Sequence, residues 1–398
     1  MNKYDYVIVG GGLAGASAIE GIRELDAKGS ILLICMEPYL PYDRPPLSKK
    51  LWFGKSRVDE IFLHDRPYYD QQGVSLMLGV RVDKLKPGDR MLALSDGSTL
   101  GYGKLLLATG GTPKRLSIPG GDLDGVCYFR TLDDYLNTRN DASEGKSALI
   151  VGGGFIGSEL AAALNTTLEI TMVFPSATLC NRVFPKSLGQ AIQRHYQARG
   201  IRVLASDTPM SISQTGATFR TKMVSGKSVE SDLLLVGIGL DPSLGLARQA
   251  GLGTANGIVV NEYLESSEPD IYAAGDNAFF PYQALGKHMR IEHWDNALSQ
   301  GKWAGRNMAG AHQAFSYLPY FFSDLFEFGY EAVGEVDASL EILADWQKEN
   351  HTGVIYYLRD GVVRGVMMCN LWDRLDIARE MIVKAERVDP ESLRGAIR

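Results

Sequence analysis

The chain has 398 residues, enough for two or three domains at about 150 residues each and for a core that needs no disulfide or metal staple. Apolar residues make up 45% and charged residues 22%, which excludes bulk disorder and coiled coil. The net charge is −6 and no basic tract stands out, which argues against nucleic-acid binding as a main task. No apolar run approaches the roughly 20 residues that a membrane helix needs, so no membrane association is expected. Met1 to Asp5 runs straight into an apolar strand without the basic and apolar regions of a signal peptide, so a soluble, cytoplasmic protein is expected. Glycine is in excess, 44 of 398 residues, and points to tight turns or close backbone approach.

Tyr6 to Val9 reads as an apolar strand, followed by Gly10-Gly11-Gly12-Leu13-Ala14-Gly15 and a small-residue helix at Ala16-Ser17-Ala18. In this G-x-G-x-x-G run Gly10 permits the tight turn, Gly12 lets a pyrophosphate approach the backbone, and Gly15 lets helix and strand pack closely. The phosphates then meet the free N–H groups and positive end of the helix. Ser30 to Glu37 reads as the next strand and ends in an acid, 22 residues past Gly15, suited to a ribose diol. Arg81 to Leu107 is a strand-turn-strand stretch, with turn signals at Gly88-Asp89 and Asp96-Gly97, and closes on Leu105-Leu106-Leu107-Ala108-Thr109-Gly110.

The same device returns. Ala148 to Val151, then Gly152-Gly153-Gly154-Phe155-Ile156-Gly157, open a helix at Ser158-Glu159-Leu160, 142 residues after the first motif. Here the second strand, Ile170 to Phe174, reaches Pro175-Ser176 with no acid, which leaves NADH against NADPH open. Ile201 to Val236 repeats the strand-turn-strand stretch and closes on Val236-Gly237-Ile238-Gly239. Two similar nucleotide domains, one inserted in the other, account for the repeat. Asp270 to Asp276 reads either as a short strand presenting an acid at its carboxyl end or as an Asp helix cap. Asn296 to Ala309 reads as a helix preceded by Glu292-His293-Trp294. From about Pro319 the pattern changes: Val354 to Met368 is two strands around Asp360-Gly361, and Leu375 to Ala385 is a helix. Cys35, Cys127, Cys180 and Cys369 are far apart, with no C-x-x-C and no zinc spacing, so buried thiols and no metal site are expected.

With both glycine motifs, Ala108-Thr109-Gly110, Gly237-Ile238-Gly239 and Ala274-Gly275-Asp276 in place, the whole chain resembles FAD-dependent pyridine-nucleotide oxidoreductases. Pro41-Tyr42-Asp43-Arg44-Pro45-Pro46-Leu47-Ser48-Lys49 resembles the NADH-dependent ferredoxin reductases and apoptosis-inducing factor. Phe322-Ser323-Asp324-Leu325, Gly329 to Gly334 and Gly110-Gly111-Thr112-Pro113 are most similar to apoptosis-inducing factor. The fold class expected is α/β: two Rossmann-like nucleotide-binding domains, one inserted in the other, plus a small α+β C-terminal domain. The resemblance implies a discontinuous FAD domain over 1–112 and 241–318, an NAD(P)H domain over 113–240, and a C-terminal domain over 319–398.

The resemblance also implies site residues. Ala14, Glu37, Arg44, Lys49, Val82, Arg130, Asp276 and Trp294 look like FAD contacts, Asp276 on the ribityl chain, and Phe155 and Glu159 look like nicotinamide contacts. Gly10, Gly12, Gly15, Thr109, Gly110, Glu292, His293, Gly152, Gly154, Ile156, Gly157 and Gly239 complete the candidate cofactor-binding set. Lys49 and Glu159 are expected to pair and to act in hydride transfer. Plainer readings stand beside these: a solvated loop charge for Lys49, a first-turn helix acid for Glu159, an interior histidine for His293. Phe321, Phe322 and Phe326 are expected as core rather than as an electron relay. Two departures stand out. The cysteine pair that the disulfide-reductase branch carries beside its flavin is absent from Pro41 to Ser48, and Ser176 stands where an acid is usual. The implied activity is hydride transfer from NADH to FAD, then electron delivery to a ferredoxin-like protein or a small acceptor. Arg44 and Lys49-Lys50 are the candidate basic patch for that partner. The alternative is a redox sensor similar to apoptosis-inducing factor, with an NADH-triggered charge-transfer complex, slow turnover and a change of assembly. A homodimer is left open.

Overall fold

The computed structural model describes residues 2–398. The chain divides into two compact units. One is Met1–Asp43, Val58–Thr112 and Pro242–Tyr320; the other is Arg44–Arg57, Pro113–Asp241 and Phe321–Arg398.

The first unit is built on a mostly parallel sheet in the order Val74–Leu78, Ile31–Cys35, Asn2–Val9, Thr99–Leu107. Thr99–Leu107 is long enough to serve two neighbours. Its end, Leu105 to Leu107, pairs in parallel with Ile271–Ala273, and its start pairs antiparallel with Met91–Leu94, beyond which lies Val82–Lys86. Ile31–Cys35 is buried at every residue, as a strand covered on both faces must be. The helices Leu13–Arg23 and Trp294–Met308 pack against each other, and they do so at backbone distance: a Cβ on Gly301 would lie 2.2 Å from the Ala14 carbonyl oxygen. The second of these helices starts at Trp294 rather than at Asn296, because His293 is extended (φ −107°, ψ 148°) and takes the N-cap position.

The second unit repeats the plan with five parallel strands in the order Arg202–Ala205, Glu169–Phe174, Ser147–Val151, Leu233–Val236, Val126–Tyr128. The meander Pro209–Thr215, Thr218–Met223, Ser228–Ser231 closes one side of its core, where Phe219, Met223 and Val229 pack with Leu149, Val173 and Leu234. The two halves therefore share one architecture as well as one motif.

The same unit carries a five-stranded antiparallel sheet in the order Tyr320–Leu325, Phe328–Gly334, Val362–Cys369, Thr352–Arg359, Glu341–Lys348, with the helix Leu375–Lys384 against it. The Asp360-Gly361 hairpin is at its centre. Both turn residues are left-handed (φ 54° and 75°), the twist-matched form of a two-residue turn. The fold is thus α/β, with two Rossmann-like nucleotide-binding domains and a small α+β C-terminal domain. Among the described residues no helix is long and apolar enough to cross a membrane.

Candidate functional site

In the first unit the glycine run forms a turn between Asn2–Val9 and the helix Leu13–Arg23. Gly10 has φ 126°, and a Cβ there would lie 2.1 Å from the Ala108 carbonyl oxygen, so no other residue fits. Gly12 is the opposite case: beyond its own chain neighbours, no protein atom lies within 4 Å of the position its Cβ would take. The cradle is open where a phosphate would approach, which fits a dinucleotide. Gly15 and Ala14 are buried in the first turns of the helix. Glu37 follows Ile31–Cys35 and accepts a 2.6 Å hydrogen bond from the Tyr42 hydroxyl. Gly79 N donates to the Glu37 carbonyl and Val80 N to that of Cys35, which brings the buried Val82 to the same end of the sheet.

Asp276 follows Ile271–Ala273 in a turn and is itself followed by the strand Ala278–Tyr282. It caps no helix, which removes the capping alternative. Its carbonyl accepts from Arg290, whose guanidinium also pairs with Glu292 at 2.5 Å. Thr109 Oγ accepts from Asn277 and donates to the Ser243 carbonyl, and Ser243 N donates to the Gly110 carbonyl. Trp294 Nε1 donates to Asp43 at 2.6 Å. Burial pulls His293 down to about 4, against the opposing pull of Asp276, so its ring is neutral at pH 7. Three polar atoms at this end are fully buried without a hydrogen-bond partner: Asn277 Oδ1, Asn296 Oδ1 and Gln300 Nε2.

In the second unit Gly152 repeats Gly10, with φ 128° and a Cβ position 2.2 Å from the Gly237 carbonyl oxygen, and Gly154 repeats Gly12, with nothing within 4 Å. Phe155 and Ile156 begin the helix Phe155–Leu164, Ile156 on its exposed side, and Gly157 is buried. Gly239 sits at the end of the loop after Leu233–Val236, where its carbonyl accepts from Lys114 N. Arg44 and Arg130 are brought together: Arg44 Nη1 donates to the Arg130 carbonyl at 2.8 Å.

Glu159 is a buried and multiply engaged acid of this unit. It is 6% exposed and lies 3.1 Å from Lys49 Nζ through Oε1. Ser48 Oγ donates to Oε2 at 2.7 Å and Ser323 Oγ to Oε1 at 2.6 Å. The Lys49 ammonium stands 4.7 Å from the centre of the Phe322 ring, within cation–π range. Lys49 is therefore not a solvated loop charge, and Glu159 does more than favour a helix start. Phe322 is 36% exposed, so the expectation that it is core fails for this ring; Phe321 packs on Phe155 at 5.7 Å, and Phe326 on Tyr196 at 5.0 Å. Sequence reasoning assigns no role to Ser48 or Ser323, although both stand in the motifs that carry the resemblance.

Residues 4–301 match the family model for pyridine nucleotide-disulphide oxidoreductases. The chain belongs to this family. Residues 304–352 and 343–384 match the C-terminal domain of apoptosis-inducing factor. The ferredoxin–NAD(+) reductase component of an anthranilate 1,2-dioxygenase system from Burkholderia cepacia is 33% identical, over 99% of this chain and 97% of that protein. The ferredoxin reductase subunit of a 5,5'-dehydrodivanillate O-demethylase from Sphingobium is 32% identical, over 100% and 97%. Among solved structures, a covalent putidaredoxin reductase–putidaredoxin complex superposes with a TM-score of 0.91 at 29% identity, over 99% of this chain and 96% of that one.

For a family named after disulphide chemistry, this member holds its thiols apart and protonated. All four cysteines are free, three of them buried. Burial pushes Cys35, Cys127 and Cys180 up to about 12, and Cys369 higher still, so none is a thiolate at neutral pH. Native protein treated with iodoacetamide at pH 8 is expected to keep its NADH-to-dye activity. Loss of flavin reoxidation after alkylation, with FAD content unchanged, would reveal a thiol step.

Proposed function

We propose that this chain is an FAD-dependent NADH oxidoreductase that passes electrons to a ferredoxin-like protein. The observation that carries the reading is the pair of open glycine cradles, each at the carboxyl end of parallel strands, together with the ion pair that Lys49 makes with Glu159, a buried acid on the helix that the second cradle opens. The names of the relatives, two of them ferredoxin reductases, support the choice of partner. So does the putidaredoxin complex among the similar structures.

In this reading residues 1–112 and 241–318 form the FAD domain, although Arg44–Arg57 packs within the second unit, 113–240 the NADH domain and 319–398 the C-terminal domain. FAD, when bound, accepts a hydride and gives up electrons singly. Gly10, Gly12, Ala14 and Gly15 hold its pyrophosphate, Glu37 its adenosine ribose and Asp276 its ribityl chain. Val82, Thr109, Gly110, Arg44, Arg130, Glu292 and Trp294 complete the contacts. The start of the helix Trp294–Met308 offers partial positive charge, worth up to about 2 kcal/mol to a partly buried anion. His293, neutral, leaves that field unchanged. Gly152, Gly154, Gly157 and Gly239 hold the coenzyme, with Phe155, Ile156 and Glu159 towards its nicotinamide. Lys49 and Glu159 fix each other and so fix the geometry of the hydride step, where a misplacement of about 1 Å can cost ~100-fold in rate. Four free thiols suit a reducing compartment and support a cytoplasmic location.

The coenzyme preference turns on Ser176. Its hydroxyl donates to the Thr178 carbonyl at 2.9 Å, so it is turned onto its own loop, and no acid stands there to repel a 2′-phosphate. Arg182, the nearest arginine in sequence, is exposed. NADH is expected to be preferred by a small margin, and Ser176→Glu to widen it by weakening NADPH use alone. Comparison of kcat/KM for both coenzymes in both proteins checks this. A wild-type preference for NADPH above tenfold, about 1.4 kcal/mol, would require a phosphate-binding group elsewhere in the loop.

The proposal as a whole is tested on the purified protein. It is expected to be yellow, to release FAD on heating, and to turn over NADH with a ferredoxin and with dyes. Protein that is colourless and takes up no FAD would refute it. The match to the C-terminal domain of apoptosis-inducing factor favours a second reading, a slow redox sensor, which poor turnover with every acceptor would support.

A further inference from the structure

Three segments converge on the Glu159 carboxylate. The 3-10 turn Pro45–Ser48 ends in Ser48, next to Lys49. The helix Phe155–Leu164 presents Phe155 and Glu159 four residues apart, on one face. The first strand of the C-terminal sheet, Tyr320–Leu325, presents Phe321 and Ser323 two residues apart, on one face. The two spacings match. Phe155 meets Phe321, with ring centres 5.7 Å apart, and Glu159 meets Ser323 at 2.6 Å. Phe322, between them in sequence, reaches the Lys49 ammonium at 4.7 Å.

We infer that Ser48 and Ser323 are positioning residues for the Lys49–Glu159 pair, one hydroxyl anchoring each oxygen of the carboxylate. The inference rests on the proposed hydride activity and assigns the C-terminal sheet a part in it. A carboxylate held only by a lysine follows that lysine's flexible four-carbon stem. Glu159 is held instead by two short side chains that have few rotamers, on two separate backbone segments. Its oxygens become fixed points, and the ammonium is placed relative to them. The C-terminal strand contributes twice, Ser323 to the carboxylate and Phe322 to the ammonium. The plain alternative is a staple that joins the sheet to the helix and matters only for folding.

Double-mutant cycles separate the two. In holoprotein, Ser323→Ala and Ser48→Ala are each expected to lower the limiting rate of flavin reduction by NADH about tenfold, about 1.4 kcal/mol of barrier, with FAD content and visible spectrum unchanged. Ser323→Thr, which keeps the hydroxyl, is expected to restore most of the rate. In a Glu159→Gln background Ser323→Ala is expected to change the rate less than twofold, because the charge that anchors the Lys49 ammonium is gone and with it the pair that Ser323 positions. Thermal unfolding gives a second readout: Ser323→Ala lowers Tm by about 2–4 °C in the parent and by less in Glu159→Gln. A fall in Tm with unchanged reduction rates, or equal rate losses in both backgrounds, would overturn the inference and leave a staple. Parent protein that NADH does not bleach at all would overturn the functional reading and this inference together. Bleaching of the parent with unchanged rates in both alanine variants overturns the inference alone.

Discussion

Glu159→Ala is expected to slow flavin reduction by NADH about 100-fold, the scale of a 1 Å misplacement at the reacting centre, while FAD content stays near that of the parent. The substitution removes the partner of Lys49, whose side chain is only 13% exposed. An ammonium so enclosed and left unpaired turns towards water or another acceptor, and its place is lost. Because Glu159 is itself buried, the alanine variant also strands the Ser48 and Ser323 hydroxyls, and some stability is lost with it. Glu159→Gln separates the two effects, since it keeps the volume and a hydrogen-bonding oxygen but not the charge. Stopped-flow absorbance at the flavin band measures the rate. Unchanged kinetics in Glu159→Ala would reduce the residue to a structural link.

Gly12→Leu and Gly154→Leu are expected to have opposite consequences for the two coenzymes. Both glycines have extended backbones that any residue adopts, φ −90°, ψ −175° at Gly12 and φ −87°, ψ −166° at Gly154. Beyond the chain neighbours, no protein atom lies within 4 Å of either Cβ position. The fold itself therefore makes no demand for glycine at these sites, beyond about 1 kcal/mol or less of N-cap preference. On the proposed function the demand comes from the coenzyme that each cradle would hold. Gly12→Leu is expected to fold and to be colourless. Gly154→Leu is expected to be yellow and reducible by dithionite, but to bind NADH at least about 100-fold more weakly, roughly 2.7 kcal/mol. Absorbance spectra with and without added FAD, and an NADH titration, check both. A yellow Gly12→Leu with a normal FAD ratio would move the flavin out of the first cradle. Gly10 and Gly152 serve as the contrast: their positive φ and carbonyl neighbours make glycine obligatory for the chain, so variants there report on folding.

Much of this is legible in the sequence, for a physical reason. A dinucleotide cradle is local: strand, glycine turn and helix start are consecutive, and the residues that the phosphate chemistry needs are spaced by the turn itself. The Asp360-Gly361 hairpin is legible in the same way. Other strands of the C-terminal sheet carry no such signal, because Tyr320–Leu325 leaves its aromatic half partly exposed and buries Ser323, and Glu341–Lys348 is exposed or half-exposed throughout. The clamp on Glu159 lies out of reach for another reason. Ser48 and Ser323 are 111 and 164 residues from Glu159, and a serine in a motif carries no signal of its distant partner. Phe322 looks like core by composition, yet strand alternation turns it outward, where Lys49 covers it. The two readings of Asp276 part at Ala278–Tyr282, which forms a strand and not the helix that a capping aspartate would need.

The most direct measurement is anaerobic stopped-flow absorbance in two mixes. The first joins the purified yellow protein to NADH, and the second adds an oxidised [2Fe–2S] ferredoxin. The account requires the flavin band to bleach in the first mix and to return in the second as the ferredoxin is reduced, with the same result after alkylation of all accessible thiols. A long-wavelength band that persists through the second mix, with the ferredoxin left oxidised, would contradict it.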